Sequence, residues 1–116
     1  MSLHPIPEFS LEWLVANLIR LHQGRAEAIS MSALAREAGL GTRQLQRIIK
    51  HLIEDHGEPI GSATGPPTGY YVITDEPEVR AAVAQLEHRL GSLARRIARL
   101  RRIAPEEVFG QMRMEL

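Results

Sequence analysis

The chain of 116 residues contains no cysteine, few aromatic residues and no excess of either charge. Without cysteine, neither a disulfide framework nor a thiolate zinc site can form, and the redox compartment stays open. Fourteen Lys and Arg balance fourteen Asp and Glu, so the net charge predicts no attraction of the whole chain to nucleic acid, membrane or acidic partners. Any such attraction must be local.

The N-terminal segment lacks a basic leader region and a continuous hydrophobic run. Within residues 1–21 the apolar positions are interrupted by Glu12, Asn17 and Arg20, which argues against a signal peptide and a membrane span. A length of 116 residues with 44% hydrophobic residues is typical of one globular domain with an appended element. We therefore expect a soluble, cytoplasmic protein.

Motifs of catalysis are also missing. The sequence contains no nucleophile with its base, no phosphate-binding glycine loop and no pair of carboxylates in a cleft. Residues 51–56, HLIEDH, group two histidines with two acids, but their spacing matches no zinc motif. The chain also has no separate ligand domain. We therefore expect no enzymatic activity, no cofactor, no metal and no small-molecule ligand.

The first part of the chain has the periodicity of amphipathic helices. Ser10 precedes apolar residues at the spacing i, i+3, i+4, i+7, i+8, which predicts a capped first helix that ends near Gln23 and Gly24. Ser30 is in position to cap a short second helix over residues 31–38. The residues expected to face inward are Leu11, Leu14, Val15, Leu18, Ile19, Leu34, Ala35 and Ala38.

Residues 34–52, LAREAGLGTRQLQRIIKHL, interrupt a helical pattern with two glycines. Because a glycine inside a helix costs about 1 kcal/mol relative to alanine, the interruption predicts a turn in which Gly39 ends the second helix. Thr42 is then in position to cap a third helix that runs to about Glu54. The apolar stripe of this helix consists of Leu45, Ile48, Ile49 and Leu52. On the opposite face, at i, i+3, i+4 and i+7, lie Arg43, Gln46, Arg47 and Lys50.

From Pro59 the pattern changes. Residues 60–62 and the β-prone residues 70–73 flank a loop rich in glycine and proline, which predicts a β-hairpin. Asp75 and Glu78 have the spacing of a capping box, and a proline is tolerated in a first helical turn. A new helix is therefore expected to begin directly after the hairpin.

This last helix, predicted over residues 76–104, is long and has a heptad pattern. Its apolar stripe consists of Val79, Val83, Leu86, Leu90, Leu93, Ile97 and Leu100. The spacings alternate between four and three residues and stay in phase across Gly91 and Ser92, which predicts one helix roughly 40 Å long. Pro105 should end it, and residues 105–116 should form a short C-terminal tail.

The order helix, glycine turn, helix, hairpin resembles the winged helix-turn-helix DNA-binding family. The residues that carry the resemblance are Leu34, Ala35, Gly39, Leu40, Leu45 and Ile48. The hairpin is similar to that of winged domains of the biotin-operon repressor kind and of small prophage-type winged proteins. The resemblance covers about residues 10–75. It implies a fold that is mainly α with a small β-hairpin, namely a winged helix-turn-helix domain over residues 8–75 followed by the long helix.

The resemblance further implies sequence-specific binding of double-stranded DNA, with residues 42–50 in the major groove and the hairpin beside them on the backbone. Arginine suits guanine, glutamine suits adenine, and lysine and hydroxyl groups suit phosphates. The predicted DNA contacts are Thr42, Arg43, Gln44, Gln46, Arg47 and Lys50 on the helix, and Ser62, Thr64 and Thr68 on the hairpin. Such a protein would be a small transcriptional regulator or a phage-type DNA-binding accessory protein. The alternative is a non-catalytic protein–protein interaction or scaffold module, in which the charged face is only solvated.

The apolar stripe of the long helix indicates whether the chain pairs with a second copy. Its stripe either packs back on the first helix or forms a homodimer, since two half-sites read by a dimer multiply specificity. The residues predicted to dimerise are Val83, Leu86, Leu90, Leu93, Ile97 and Leu100. Arg96 and Arg101 fall at heptad positions that a parallel pair would bring together, which favours an antiparallel or splayed pair.

Residues 89–102 contain six arginines and no acid. A solvated helix face is the usual explanation of such a run. Contact with the DNA backbone, or with an acidic partner, is the alternative.

Overall fold

The computed structural model describes residues 3–115, without the side chains of residues 114 and 115. Its elements are α1 (Leu11–Ile19), a 3-10 helix (Arg25–Glu27), α2 (Met31–Ala38), α3 (Thr42–Glu54), β1 (Ile60–Ala63), β2 (Gly69–Val72), α4 (Glu76–Arg101) and α5 (Pro105–Glu115). The fold class predicted from the sequence is confirmed: a mainly helical chain with a small antiparallel hairpin, followed by a long helix. The chain divides into two compact units, Met1–Val79 and Arg80–Leu116.

Helices α1, α2 and α3 enclose the core of the first unit. Its most deeply buried side chains are Val15, Ile19, Leu34, Leu45 and Leu52. Burying a side chain of this size contributes about 1.5–3 kcal/mol relative to leaving it exposed. Both predicted serine caps are present, because the Ser10 hydroxyl accepts a hydrogen bond from the Trp13 amide at 3.1 Å and the Ser30 hydroxyl accepts one from the Ala33 amide at 3.2 Å. Leu11, which was expected to face inward, is 44% exposed.

Helix α1 ends at Ile19, several residues before the predicted end near Gly24. The following segment pairs with β2 instead. The amide and carbonyl of Ile29 form hydrogen bonds with the carbonyl and amide of Tyr70, both at 2.8 Å, and the Val72 amide donates to His22 at 2.8 Å. Since β1 occupies the other edge of β2, both edges of this strand have partners. The backbone groups that follow Ile19 thus find their hydrogen-bond partners in β2, and these bonds replace the ones that a longer α1 would form.

The close approach of this segment explains one glycine of the hairpin. Gly69 has φ 137°, and a Cβ atom added there would lie 1.9 Å from the carbonyl oxygen of Ile29. Only glycine fits a backbone at this distance and conformation. Gly69 thus fixes the start of β2 against the segment that follows α1.

The second unit consists of most of α4 and of α5. Ala94, Ala98 and Val108 are buried together, with Ile97 and Ile103 packed against them. Residues Pro105–Glu115 of the predicted tail form a helix, and α4 ends at Arg101 rather than at residue 104. A proline is favourable as the first residue of a helix, because its missing amide hydrogen would have no partner there. Two glutamates in the first turn of α5 add a favourable charge next to the positive end of the helix.

In the described part of the chain, no helix combines the length and the hydrophobicity that crossing a bilayer requires.

Candidate nucleic-acid interface

The turn between α2 and α3 sets the direction of the candidate reading helix. Gly39 has the left-handed conformation, with φ 70° and ψ 33°. The amide of Leu40 donates to the carbonyl of Ala35 at 2.9 Å, and the amide of Gly39 donates to the carbonyl of Arg36 at 3.3 Å. This pair of bonds satisfies two carbonyls in the last turn of α2 and ends the helix at Gly39. The interruption read from the sequence is thus a helix-turn-helix corner.

The prediction that Thr42 caps α3 is wrong. Gly41 occupies the capping position, with the extended angles φ −74° and ψ 156°, and Thr42 is the first residue of the helix. Among the side chains that the structure describes, none accepts a hydrogen bond from the first turn of α3. The hydroxyl of Thr42 lies on an exposed residue and is available for another partner.

Helix α3 is strongly amphipathic. Leu45, Ile48, Ile49 and Leu52 are buried. All six polar residues predicted to contact DNA from this helix are exposed, namely Thr42, Arg43, Gln44, Gln46, Arg47 and Lys50. The core therefore holds α3 by its apolar stripe and turns the predicted contact residues to the surface.

The cations of this face have no partners among residues 3–115. The side chains of Arg43, Arg47 and Lys50 form no hydrogen bond and no ion pair there. Elsewhere in the first unit Arg20 is paired with Glu58. Because the first acid of α3 is Glu54, at the end of the helix, the helix presents positive charge and hydrogen-bond donors on this face without a carboxylate of its own. This set of groups suits guanine edges and phosphates.

The hairpin presents the three other predicted contacts. Ser62, Thr64 and Thr68 are all exposed, and the Thr68 hydroxyl lies 3.4 Å from the carbonyl of Thr64 within the loop. No hydrogen bond within residues 3–115 joins these residues to the contact residues of α3. The predicted contact residues of the hairpin and those of α3 therefore form two separate groups within the first unit.

Arg25 supplies the positive charge that the hairpin sequence lacks. Its guanidinium group donates to the carbonyl of Gly65 at 2.6 Å and to that of Pro67 at 2.7 Å. The peptide bond between Pro66 and Pro67 in the same loop is cis. Arg25 lies 40 and 42 residues before the two carbonyl groups to which it donates, and its neighbours in sequence give no signal of this contact. Sequence reasoning missed it for that reason.

Glu78, in the first turn of α4, binds the backbone of Arg25 through its carboxylate. One carboxylate oxygen accepts from the Arg25 amide at 2.6 Å, and the other accepts from the Thr74 amide at 2.9 Å. The Glu78 amide donates to the Asp75 carboxylate at 2.9 Å, so half of the predicted capping box forms. The amide donors of Arg25 and Thr74 lower the pKa of Glu78, because they favour the charged carboxylate. Burial raises the pKa of Tyr70 on the adjacent strand.

The histidines of residues 51–56 already have other contacts. His51 lies against the carboxylate of Asp55, and the His56 ring nitrogen Nδ1 is 2.6 Å from the carbonyl oxygen of His4. Within residues 3–115, no group of three or more potential metal ligands lies together.

The heptad stripe of α4 is largely exposed. Val83, Leu86, Leu90, Leu93 and Leu100 have between 45% and 86% of their surface accessible. Ile97 differs from these five predicted dimerisation residues, because it is partly buried against the cluster of Ala94, Ala98 and Val108. The stripe thus presents large apolar side chains that α5 leaves uncovered.

The first unit thus has three α-helices followed by an antiparallel hairpin, which is the element order expected from the sequence. Comparison of the chain with models of known protein families, with curated proteins and with solved structures finds no match.

Proposed function

We propose that this protein is a cytoplasmic, non-catalytic DNA-binding protein that recognises specific double-stranded sequences. It would act as a small transcriptional regulator or as a phage-type accessory protein. The observation that carries the proposal is the exposed face of α3, where Arg43, Arg47 and Lys50 have no partner among residues 3–115. Arg and Gln on this face can read guanine and adenine in the major groove.

The hairpin contributes contacts to the DNA backbone in this proposal. Ser62, Thr64 and Thr68 offer exposed hydroxyl groups, and Arg25 keeps the loop between them in one conformation through two hydrogen bonds. A pre-ordered loop loses less conformational entropy when it binds than a mobile one. The wing therefore positions the protein, while α3 reads the sequence.

A homodimer through α4 completes the proposal. The stripe exposes large apolar side chains along about three heptads, and exposed apolar surface of this extent is typical of an interaction site. A second copy of the same stripe would cover it and would bring two reading helices to a two-fold symmetric site.

In vitro selection of bound duplexes from a random library tests the proposal, because it reports binding, sequence preference and half-site symmetry together. We expect a selected site with two related half-sites. A selected pool that remains random in sequence would contradict sequence-specific binding.

The second candidate function is a protein-interaction module, and the charge of the first unit favours it. Residues 1–79 contain ten acids against six Lys and Arg, a balance that repels phosphates at long range. A titration with random duplex at two salt concentrations separates the candidates. Phosphate contacts require a steep loss of affinity with salt, whereas an interaction module binds no duplex at either concentration.

A further inference from the structure

The balanced charge of the chain conceals an uneven distribution between its two units. Residues 1–79 carry ten acids and six Lys and Arg, whereas residues 80–116 carry eight arginines and four acids. Attraction to phosphates over distances near the Debye length depends on this distribution and not on the total. A DNA-binding role for α3 therefore requires a source of attraction outside the first unit.

Four arginines of the second unit lie around one cavity. Arg95, Arg96, Arg99 and Arg102, here called the arginine cluster, line an open cavity of about 620 Å³ together with Ser92, Ala98, Ile103 and Pro105. No carboxylate lines this cavity. Within residues 3–115, no side chain of the cluster forms a hydrogen bond or an ion pair, in contrast to Arg101, which donates to Gln111 at 2.6 Å.

The geometry of the cluster suits a chain of phosphates. Arg95 and Arg99 lie one helical turn apart, about 6 Å along the axis of α4, and Arg102 directly follows the end of this helix. A guanidinium group stays charged at all physiological pH values and binds phosphate oxygens through two parallel hydrogen bonds. Pro105, which lines the cavity, begins α5, and the N-terminal end of a helix favours a nearby anion. The first-turn residues Glu106 and Glu107 oppose this effect, but they do not line the cavity.

We propose that the arginine cluster binds the phosphate backbone of nucleic acid without reading its sequence and supplies most of the salt-dependent affinity of the protein. The inference deepens the proposed function and depends on it. An acidic protein is the competing ligand, but the apolar lining of the cavity consists of only Ala98, Ile103 and Pro105. Protein partners are usually anchored by buried apolar or aromatic contacts, and this lining offers few of them.

The test compares two triple variants of the full chain with equal loss of charge. One replaces Arg95, Arg96 and Arg99 with Gln in the cluster. The control replaces Arg80, Arg89 and Arg113 with Gln, which are exposed residues of the same unit that do not line the cavity. Affinity for a random-sequence duplex is measured by fluorescence anisotropy at several salt concentrations, and circular dichroism verifies equal helix content.

Each lost phosphate contact lowers the slope of log affinity against log salt by about 0.9. For three contacts we expect the slope of the cluster variant to fall by about 2.7. On raising salt fourfold, the parent would then lose about 40-fold more affinity than this variant. The control should keep nearly the slope of the parent. Equal slopes for the two triple variants would overturn the inference, since general charge would then explain the attraction.

A third variant, with Arg43, Arg47 and Lys50 replaced by Gln, separates failure of the inference from failure of the proposed function. If this variant keeps the selected sequence preference while the cluster variant loses its salt dependence, the role of α3 is wrong and the cluster inference stands. If it loses the preference and the cluster variant behaves like the parent, only the inference is wrong. A parent that binds no duplex at low salt overturns both.

A titration with polyglutamate tests the acidic-protein alternative. Loss of polyglutamate binding by the cluster variant, with an unchanged salt slope on duplex, would overturn the inference in favour of an acidic partner.

Discussion

At the residue scale, the two glycines of the helix-turn-helix corner have different roles. Gly39 has φ 70°, whereas Gly41 has an ordinary extended conformation, and a Cβ atom at either position would meet nothing within 4 Å. Glycine is therefore needed at 39 for its backbone angle and is not needed at 41. A left-handed conformation costs a residue other than glycine about 1–2 kcal/mol.

We expect Gly39→Ala to lower the free energy of unfolding by about 1 kcal/mol. Gly41→Ser should instead raise it by a few tenths of a kcal/mol, because a serine hydroxyl at the capping position can accept a hydrogen bond from the first turn of α3. Urea unfolding of the two variants and the parent measures both effects. Equal destabilisation by the two substitutions would contradict the assignment of the turn to Gly39 alone.

Arg47 provides the matching test of recognition. It lies in the middle of the exposed face of α3 and has no partner among residues 3–115. Arg47→Ala should reduce affinity for the selected duplex by about 1–3 kcal/mol if one bidentate base contact is lost. Anisotropy titrations with the selected and with a random duplex measure the change.

The control for this experiment is Arg36→Ala, which removes an equal charge from an exposed residue of α2. It should weaken binding to both duplexes slightly and equally. If Arg47→Ala does the same, Arg47 contributes charge and does not read bases.

Some features of single residues could be predicted from the sequence and others could not. The polar face of α3 was predictable, because a helix of known period with one apolar stripe fixes which residues point outward. Arg25 was not predictable, because its two hydrogen bonds go to backbone carbonyls of a loop forty residues away. Any residue type can supply such acceptors, and they leave no pattern in the sequence.

At the scale of elements, the capping residues and apolar periodicities of the sequence predicted where helices form more accurately than where they end. Helix α1 ends before the position predicted from the sequence because the segment after Ile19 pairs with β2. This strand is distant in sequence, so the pairing leaves no local signal. Helix α5 was missed because its few apolar residues do not form a long regular stripe, and among those whose side chains are described only Val108 is buried. Its first residues, Pro105 and two glutamates, were the available signal.

The start of α4 depends on the charge of one carboxylate. The pKa of Glu78 lies below its ordinary value because the amides of Arg25 and Thr74 donate to its carboxylate in the folded state. The unfolded chain lacks these donors, so it takes up the proton at a higher pH than the folded chain does. The stabilisation is therefore fully present above the usual pKa of glutamate, about 4.3, and is lost as pH falls below it.

We accordingly expect Glu78→Gln to be less stable than the parent at pH 7 and to approach it at acid pH. Thermal unfolding between pH 3 and pH 7 measures the difference, which should shrink as pH falls through about 4. Glu76→Gln is the control, because Glu76 lies in the same turn but its side chain forms no hydrogen bond or ion pair within residues 3–115. A pH-independent difference for Glu78→Gln would show that the carboxylate is not held in its charged form.

At the scale of the whole molecule, the second unit has too small a core of its own. Only Ala94, Ala98 and Val108 are buried there among the residues whose side chains are described, and units of this size rarely fold without further burial. The exposed stripe of α4 would provide that burial in a dimer. A negative charge in the middle of the stripe should therefore dissociate the dimer, because an unpaired buried charge costs several kcal/mol.

Leu93→Glu is the direct test, since Leu93 is 45% exposed and lies within the stripe. We expect the parent to sediment as a dimer and Leu93→Glu as a monomer at micromolar concentration. Ala84→Glu adds the same charge to an exposed residue of α4 outside the stripe and should remain dimeric. If Leu93→Glu sediments like the parent, the stripe does not form the dimer interface. Because a dimer binds two half-sites at once, the monomeric variant should also lose the preference for paired half-sites while each α3 keeps its own sequence preference.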